Sequence, residues 1–275
     1  MSGILWLASY PKSGNTWLRV FLANLFANSS KPFDINALSR HFYGEMSADL
    51  YEKVAGKPLA ALDDAALHRL RPKVHRLIAS LRRDTVFVKT HNAIAVWNEV
   101  PMITPEFTAG AIYVIRNPLD VSVSYADHYG IAIADAVEAM CSPENRILTQ
   151  PQSVFQYLGD WSSHVLSWCE APGLKRHIVR YEDMLDDPNA AFAAIAGFLG
   201  VDAPRARLRR AIRFSTFEEV KKQERRHGFR EKSRSSEAFF RAGRAEQWRQ
   251  ALSPARVERL VQAHREVMQR FDYLP

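Results

Sequence analysis

The chain passes without a spacer from an apolar run, Ile4-Leu-Trp-Leu-Ala-Ser9, into Tyr10-Pro-Lys-Ser-Gly-Asn-Thr16 and then into residues with helical spacing. No other feature constrains the fold as much. The uninterrupted run reads as a short strand buried on both faces, broken by Tyr10-Pro11. Trp17, Leu18, Phe21, Leu22 and Leu25 then share one face of a helix. Further strands are expected at Thr85–Thr90, Ala111–Ile115 and Arg176–Arg180, with Pro118 suited to a first helical turn. Residues 34–83 read as mostly helical, with Pro72 interrupting them. Helices are also expected over Val154–Glu170, Pro188–Leu199 (closed by Gly200) and Pro254–Phe271. Strands alternating with helices predict an α/β fold: a single P-loop-like domain over residues 1–275, its central parallel sheet flanked by helices on both faces. A length of 275 residues suits one such domain, and 47% hydrophobic residues suffice for a full core. Ligands of such sheets bind beyond the carboxyl ends of the strands, where Ser9 hands over to Pro11–Thr16.

Several classes of protein are disfavoured by composition. The opening residues lack a basic leader and a cleavage site, and no apolar stretch approaches the ~18 residues of a membrane span. A soluble, unexported, cytoplasmic protein is expected. Cys141 and Cys169 are too few for a disulfide framework or a zinc site, and no metal is expected. The formal charge of +7 is uneven: residues 205–244 hold 14 Lys/Arg against 5 Asp/Glu, while the rest holds 23 against 25. Such a basic excess suits nucleic acid, an acidic surface or a small polyanion, and charge alone does not choose among them.

The turn supplies the chemistry of an anion site. Amide groups at a helix start point outward, the helix dipole adds partial positive charge, Lys12 adds a full one, and Ser13, Asn15 and Thr16 add donors around Gly14. The order Lys-Ser-Gly differs from the Gly-Lys-Ser/Thr of nucleotide triphosphatases, and the earlier glycine of that pattern is missing. Taken alone, the turn is equally compatible with a surface loop.

The wider sequence adds a resemblance. Tyr-Pro-Lys-Ser-Gly-Asn-Thr-Trp17 closely resembles the 5'-phosphosulfate loop of the cytosolic sulfotransferases, which use 3'-phosphoadenosine-5'-phosphosulfate (PAPS). Tyr113-Val-Ile-Arg-Asn-Pro-Leu-Asp-Val-Ser-Val-Ser-Tyr125 is similar to that family's 3'-phosphate signature, and Phe87-Val-Lys-Thr-His91 to its Lys-Thr-His segment. Gly159–Val165 with Trp168, Arg180–Met184, Ser215–Lys222 and Phe240–Trp248 match four more segments in family order.

The resemblance implies sulfonate transfer by in-line displacement, with product 3'-phosphoadenosine-5'-phosphate (PAP) and a hydroxylated small molecule as acceptor. It implies that His91 is the general base, that Lys12 stabilises the leaving oxygen, and that Lys89 assists at the sulfonate. It gives the 5'-phosphate to Lys12, Ser13, Gly14, Asn15 and Thr16, and the 3'-phosphate to Arg116, Ser124, Arg241 and Gly243. Trp17 and Phe217 would enclose the adenine, with Tyr181, Ser215 and Thr216 beside it. Asn15 replaces a commoner Thr, Ala242 replaces a usual Lys and Glu246 stands where Gly is common, while Arg244 offers a replacement charge. Asp120, Glu182 and Asp183 read as structural. A P-loop kinase or triphosphatase and a non-catalytic PAP-binding module are the alternatives, disfavoured by the Lys-Ser-Gly order and by retention of both Lys12 and His91.

Nucleic-acid binding is not expected, because the basic stretch lacks interleaved aromatics. The acceptor region is expected from Asn36–Lys57, Asn92–Thr104 and Ile131–Gln152, with Phe42, Tyr43, Trp97, Met102, Tyr129 and Ile133 as apolar lining or core. Residues 223–240 read as a basic, non-helical segment with little to bury before Phe239, able to close over bound nucleotide. Oligomeric state stays open. The N-terminus resembles that of bacterial family members as well as vertebrate ones.

Overall fold

The computed structural model describes residues 3–233 and 235–275. In chain order, β1 (Gly3–Ser9) and α1 (Asn15–Ala27) precede a 3-10 turn at Ile35–Arg40, β2 (Tyr43–Gly44), α2 (Ala48–Ala55) and α3 (Asp64–Ser80). Next come β3 (Thr85–Thr90), the antiparallel pair β4 (Val96–Trp97) and β5 (Val100–Pro101), then β6 (Thr108–Ile115), α4 (Pro118–Tyr129) and α5 (Ile133–Cys141). A second pair, β7 (Arg146–Ile147) and β8 (Gln156–Tyr157), leads to α6 (Trp161–Cys169), β9 (Arg176–Arg180), α7 (Tyr181–Asp186) and α8 (Pro188–Phe198). The chain ends with α9 (Arg205–Arg213), α10 (Phe217–His227), α11 (Trp248–Ala251) and α12 (Pro254–Arg270).

These elements form two compact units, one from residues 3–10, 42–113 and 139–178, the other from 11–41, 114–138 and 179–275. Five strands make a parallel sheet in the order β2-β3-β1-β6-β9, as an α/β fold requires.

In the first unit β1 pairs in register with β3, Ile4 facing Val86 and Ala8 facing Thr90. Ile4, Trp6, Leu7 and Ala8 have no exposed surface, which explains why β1 reads as a continuous apolar run. Helix α3 lies on β1 and β3, with the Trp6 ring edge-on to His75 at 5.1 Å. Asp63 caps α3 by accepting from Ala66 N at 2.6 Å.

Two sequence expectations are corrected by the structure, and a third, the mostly helical course of residues 34–83, holds with one addition. Pro72 does not interrupt α3, which runs unbroken from Asp64 to Ser80. The proline removes one helical hydrogen bond, but Leu67, His68 and Arg71 before it and Val74, His75 and Ile78 after it are all buried, and that packing outweighs the loss. Residues 34–83 also contain the edge strand Tyr43–Gly44. Finally, the helix expected over Val154–Glu170 starts only at Trp161. Gln156 and Tyr157 pair with β7, Gly159 turns the chain at φ +65°, and Asp160 caps α6 by accepting from Ser163 N.

In the second unit α1 packs on α9, α8 on α7 and α9, and α4 on α11 and α12. Phe21 of α1 stacks on Phe192 of α8 at 4.1 Å. Asn117 caps α4 through Leu119 N, with Pro118 at its first position, and Thr216 caps α10 through Glu219 N.

Candidate active site

In the second unit the turn before α1 adopts a demanding backbone. Lys12 has φ +69° and Gly14 φ +107°, two left-handed residues two apart. A Cβ at Gly14 would lie 2.7 Å from the Tyr181 ring, so both torsion and space require glycine there. The Lys12 torsion costs about 1–2 kcal/mol for a residue with a side chain, strain of the kind that collects at functional sites. The first hydrogen bond of α1 runs from Leu18 N to Gly14 O at 3.2 Å, so the amides ahead of it face out along the helix axis. Ser13 is 1% exposed, and its Oγ has no hydrogen-bond partner among the described residues.

Arg116 leaves β6 beside this turn. It donates to Lys12 O at 3.1 Å and to Arg244 O at 3.3 Å, and its guanidinium lies over the Tyr181 ring at 4.3 Å. Its Nε is buried without a partner among the described residues. The side chain thus joins the first turn to the 241–248 segment. That segment is held further by buried Asp120, which accepts from Glu246 N (2.7 Å) and Trp248 N (3.1 Å). Glu246 has φ +61°, which accounts physically for glycine being common at this place in the motif. At Gly243 (φ +62°) a Cβ would fall 2.2 Å from the Phe217 ring. Exposed Arg241 donates to Gln247 Oε1 at 3.2 Å, and Lys221 donates to Arg241 O at 3.3 Å.

Trp17 stands edge-on to Tyr181 at 5.7 Å and to Phe192 at 5.5 Å, and its Nε1 is buried without a partner among the described residues. Burial pushes the Tyr181 hydroxyl pKa up. Ser215 is buried and donates to Ile212 O, Thr216 serves as the α10 cap, and Ser124 is half-buried on α4. Every sequence-predicted nucleotide residue therefore lies in this one unit. Glu182 accepts from Asn117 N and from the Tyr273 hydroxyl, and burial raises its pKa.

The expectation that residues 223–240 are non-helical with little to bury is corrected here. Gln223–His227 is the end of α10, and Phe229, Phe239 and Phe240 form an aromatic cluster with centroids 4.8–5.3 Å apart. Glu224 accepts from the amides of Phe239 and Phe240. Phe229 and Phe239 stand ten positions apart in sequence, and folding brings them together. Arg234 lies outside the described residues. The Lys12 ammonium sits 4.2 Å from the Phe239 ring centroid, a contact the sequence did not signal.

In the first unit His91 follows β3. Its Nδ1 is 2.8 Å from Ser9 O, with Ser9 Oγ at 3.3 Å. A carbonyl only accepts, so Nδ1 carries the proton of the neutral ring and Nε2 carries the lone pair. The flanking residues are held from beneath by Glu45, which is fully buried. Glu45 accepts from Thr90 Oγ1 at 3.2 Å, from Asn92 Nδ2, and from Arg71 at 2.6 Å. Burial alone would raise the Glu45 pKa, but the Arg71 guanidinium, with His75 and Thr90, brings it below the usual carboxylate value. His75 Nε2 stays 3.8 Å from Glu45, too far for a hydrogen bond, and burial lowers its pKa, so the charge pair is Glu45–Arg71. Fully buried His164 of α6 donates from Nε2 to His91 O at 3.0 Å and accepts from the Tyr113 hydroxyl at 2.8 Å. Burial drives its pKa down to about 4. Lys89 is half-buried on β3, opposite Leu7.

Of the expected acceptor lining in this unit, Phe42 and Met102 are fully buried and belong to the core, whereas Trp97 is half-buried against Phe155 and Tyr157. Ser9, Glu45 and Asn92 were not signalled as site residues by the sequence, because their partners are distant in the chain.

Residues 3–272 match the family described as the sulfotransferase domain. The chain belongs to that family. Among relatives of this sulfotransferase, dog sulfotransferase 1B1 is 27% identical over 219 residues, covering 78% of this chain and 65% of that protein. Dog sulfotransferase 1A1 is 25% identical over 262 residues, covering 93% of this chain and 80% of that one. A solved structure of retinol dehydratase, in complex with androsterone and inactive cofactor PAP, shares the fold with a TM-score of 0.64. Its identity is 19%, over 96% of this chain and 80% of the other. Among the described residues, no helix is long and apolar enough to cross a membrane.

Proposed function

We propose that residues 1–275 act as one sulfotransferase domain that transfers the sulfonate of PAPS to a hydroxyl of a small-molecule acceptor in the cytoplasm. One observation carries the nucleotide half of this reading: two buried donors, Ser13 Oγ and Arg116 Nε, have no partner among the described residues, on side chains in and beside a helix start where two left-handed residues turn amides outward. Leaving buried donors unsatisfied costs about 1–3 kcal/mol each, which a phosphate ligand would recover. The PAP bound by retinol dehydratase, a protein of the same fold, supports the choice of nucleotide.

In this reading Ser13, Asn15, Thr16 and the α1 amides hold the 5'-phosphate, and Arg116 with Ser124 and Arg241 holds the 3'-phosphate. Trp17, Phe217 and Tyr181 take the adenine. His91 Nε2 accepts the acceptor hydroxyl's proton as the new oxygen–sulfur bond forms. The bond from sulfur to the bridging phosphate oxygen breaks, and Lys12 meets the charge left on that oxygen, with Lys89 beside the sulfonate. The bond from Nδ1 to Ser9 O gives His91 the tautomer this needs. A transfer screen with labelled PAPS against hydroxylated small molecules tests the activity. With any acceptor so found, His91→Ala is expected to lose about 10²–10⁴-fold in turnover while keeping PAP binding. Lys12→Ala should lose both. Near-normal turnover of His91→Ala would refute the assignment of the base.

A further inference from the structure

Arg19 lies in the apolar helix α1, between Leu18 and Val20, yet only 2% of its side chain is exposed. Its guanidinium makes four hydrogen bonds. One edge makes a forked pair with Glu231, at 2.7 Å from Nη1 and 2.6 Å from Nη2. The other donates from Nε to Asn15 Oδ1 at 3.2 Å and from Nη2 to Thr16 Oγ1 at 3.0 Å. Guanidinium has donors and no acceptor, so the atoms facing it must accept. The Asn15 amide is therefore held with its oxygen toward Arg19 and its Nδ2 turned to the other side. The Thr16 hydroxyl, having accepted from Arg19, directs its hydrogen elsewhere. Both residues stand in the first turn of α1, beside Ser13 and its orphaned hydroxyl.

We infer that Arg19, held by Glu231, is a positioning residue that fixes Asn15 and Thr16 as donors toward the 5'-phosphate. This deepens the nucleotide reading above and rests on it. Glu231 belongs to the segment after α10, so the pair also ties that segment to the phosphate turn. Its charge offsets that of Arg19, which acts through orientation rather than as a further cation against the ligand.

Calorimetric titration separates this role from general packing, using two nucleotides that differ only at the 5' position: PAP and adenosine 3'-phosphate. Arg19→Met, which keeps volume and removes the donors, is expected to weaken PAP about tenfold or more and leave adenosine 3'-phosphate unchanged. Glu231→Ala, at a partly exposed position, should show the same pattern with a smaller loss and covers the case in which Arg19→Met does not fold. A double variant with Thr16→Val should lose less than the sum of the single losses, because Arg19 acts through Thr16. Equal weakening of both nucleotides, or unchanged PAP affinity in folded variants, overturns the inference. Ser13→Ala and Lys12→Ala serve as controls on the underlying reading. If they too spare PAP, the 5'-phosphate site itself is misassigned; if they weaken PAP and Arg19→Met does not, only the role of Arg19 fails.

Discussion

Gly243 and Gly56 have nearly the same left-handed torsion, φ +62° and +69°, but different surroundings. A Cβ at Gly56 meets nothing within 4 Å, whereas at Gly243 it would overlap the Phe217 ring at 2.2 Å. Gly56→Ala should therefore cost only the torsional strain, about 1 kcal/mol. Gly243→Ala should cost a further 1–3 kcal/mol for displacing the ring, with weaker PAP binding as a consequence. Chemical denaturation of both variants checks the difference, and equal losses would show that Phe217 yields freely. Motif resemblance singled out Gly243 without a reason; the reason is a contact with a residue 26 positions earlier, which no local pattern carries. His91 is a similar case. Its place after a strand was legible, but the proton position that would suit it as a base is set by Ser9 O, 82 residues away.

At the scale of elements, α6 holds the residues around His91 through His164 and through Trp168, which donates to Asn92 O. His164 is buried and neutral, its pKa brought from 6.5 to about 4 by desolvation. The unfolded chain then takes up a proton first as pH falls. The stability this group contributes is full above pH ~6.5 and is lost progressively down to pH ~4, on the order of 3 kcal/mol in all. Urea unfolding between pH 7.5 and 4.5 should show that loss, and His164→Gln should flatten the slope. An unchanged slope in the variant would mean that His164 does not stay neutral in the fold. Helix α6 was legible from Trp161 onward. In the seven residues before it Val154, Phe155 and Leu158 fit a helical stripe, but Gln156 and Tyr157 pair with β7 and the chain turns at Gly159 before the Asp160 cap.

For the whole molecule, a nucleotide held at two separate phosphates predicts a selectivity that one anion site would not give. PAP should raise the melting temperature clearly, and AMP or ATP far less at equal concentration, because stabilisation follows differential binding to the native state. Equal shifts with PAP and AMP would remove Arg116 and Ser124 from the site. The alternation of strands and helices, the buried strand β1 and the tight glycine-containing turn that leads into α1 were all readable from sequence. Apolar period, glycine placement and a helix start are local properties, set by backbone stereochemistry and by neighbours within a turn or two. The unbroken course of α3 through Pro72, the cluster of Phe229 with Phe239 and Phe240, and the support of Thr90 and Asn92 by Glu45 and Arg71 were not readable. The same holds for Arg19 and Glu231, 212 positions apart. Burial makes an unpaired polar group costly, and which partner satisfies it depends on what the folded chain encloses beside it. Sequence thus determined where the strand ends and the helix begins, and tertiary structure decided which distant side chains hold the residues of that turn and those around His91 in place.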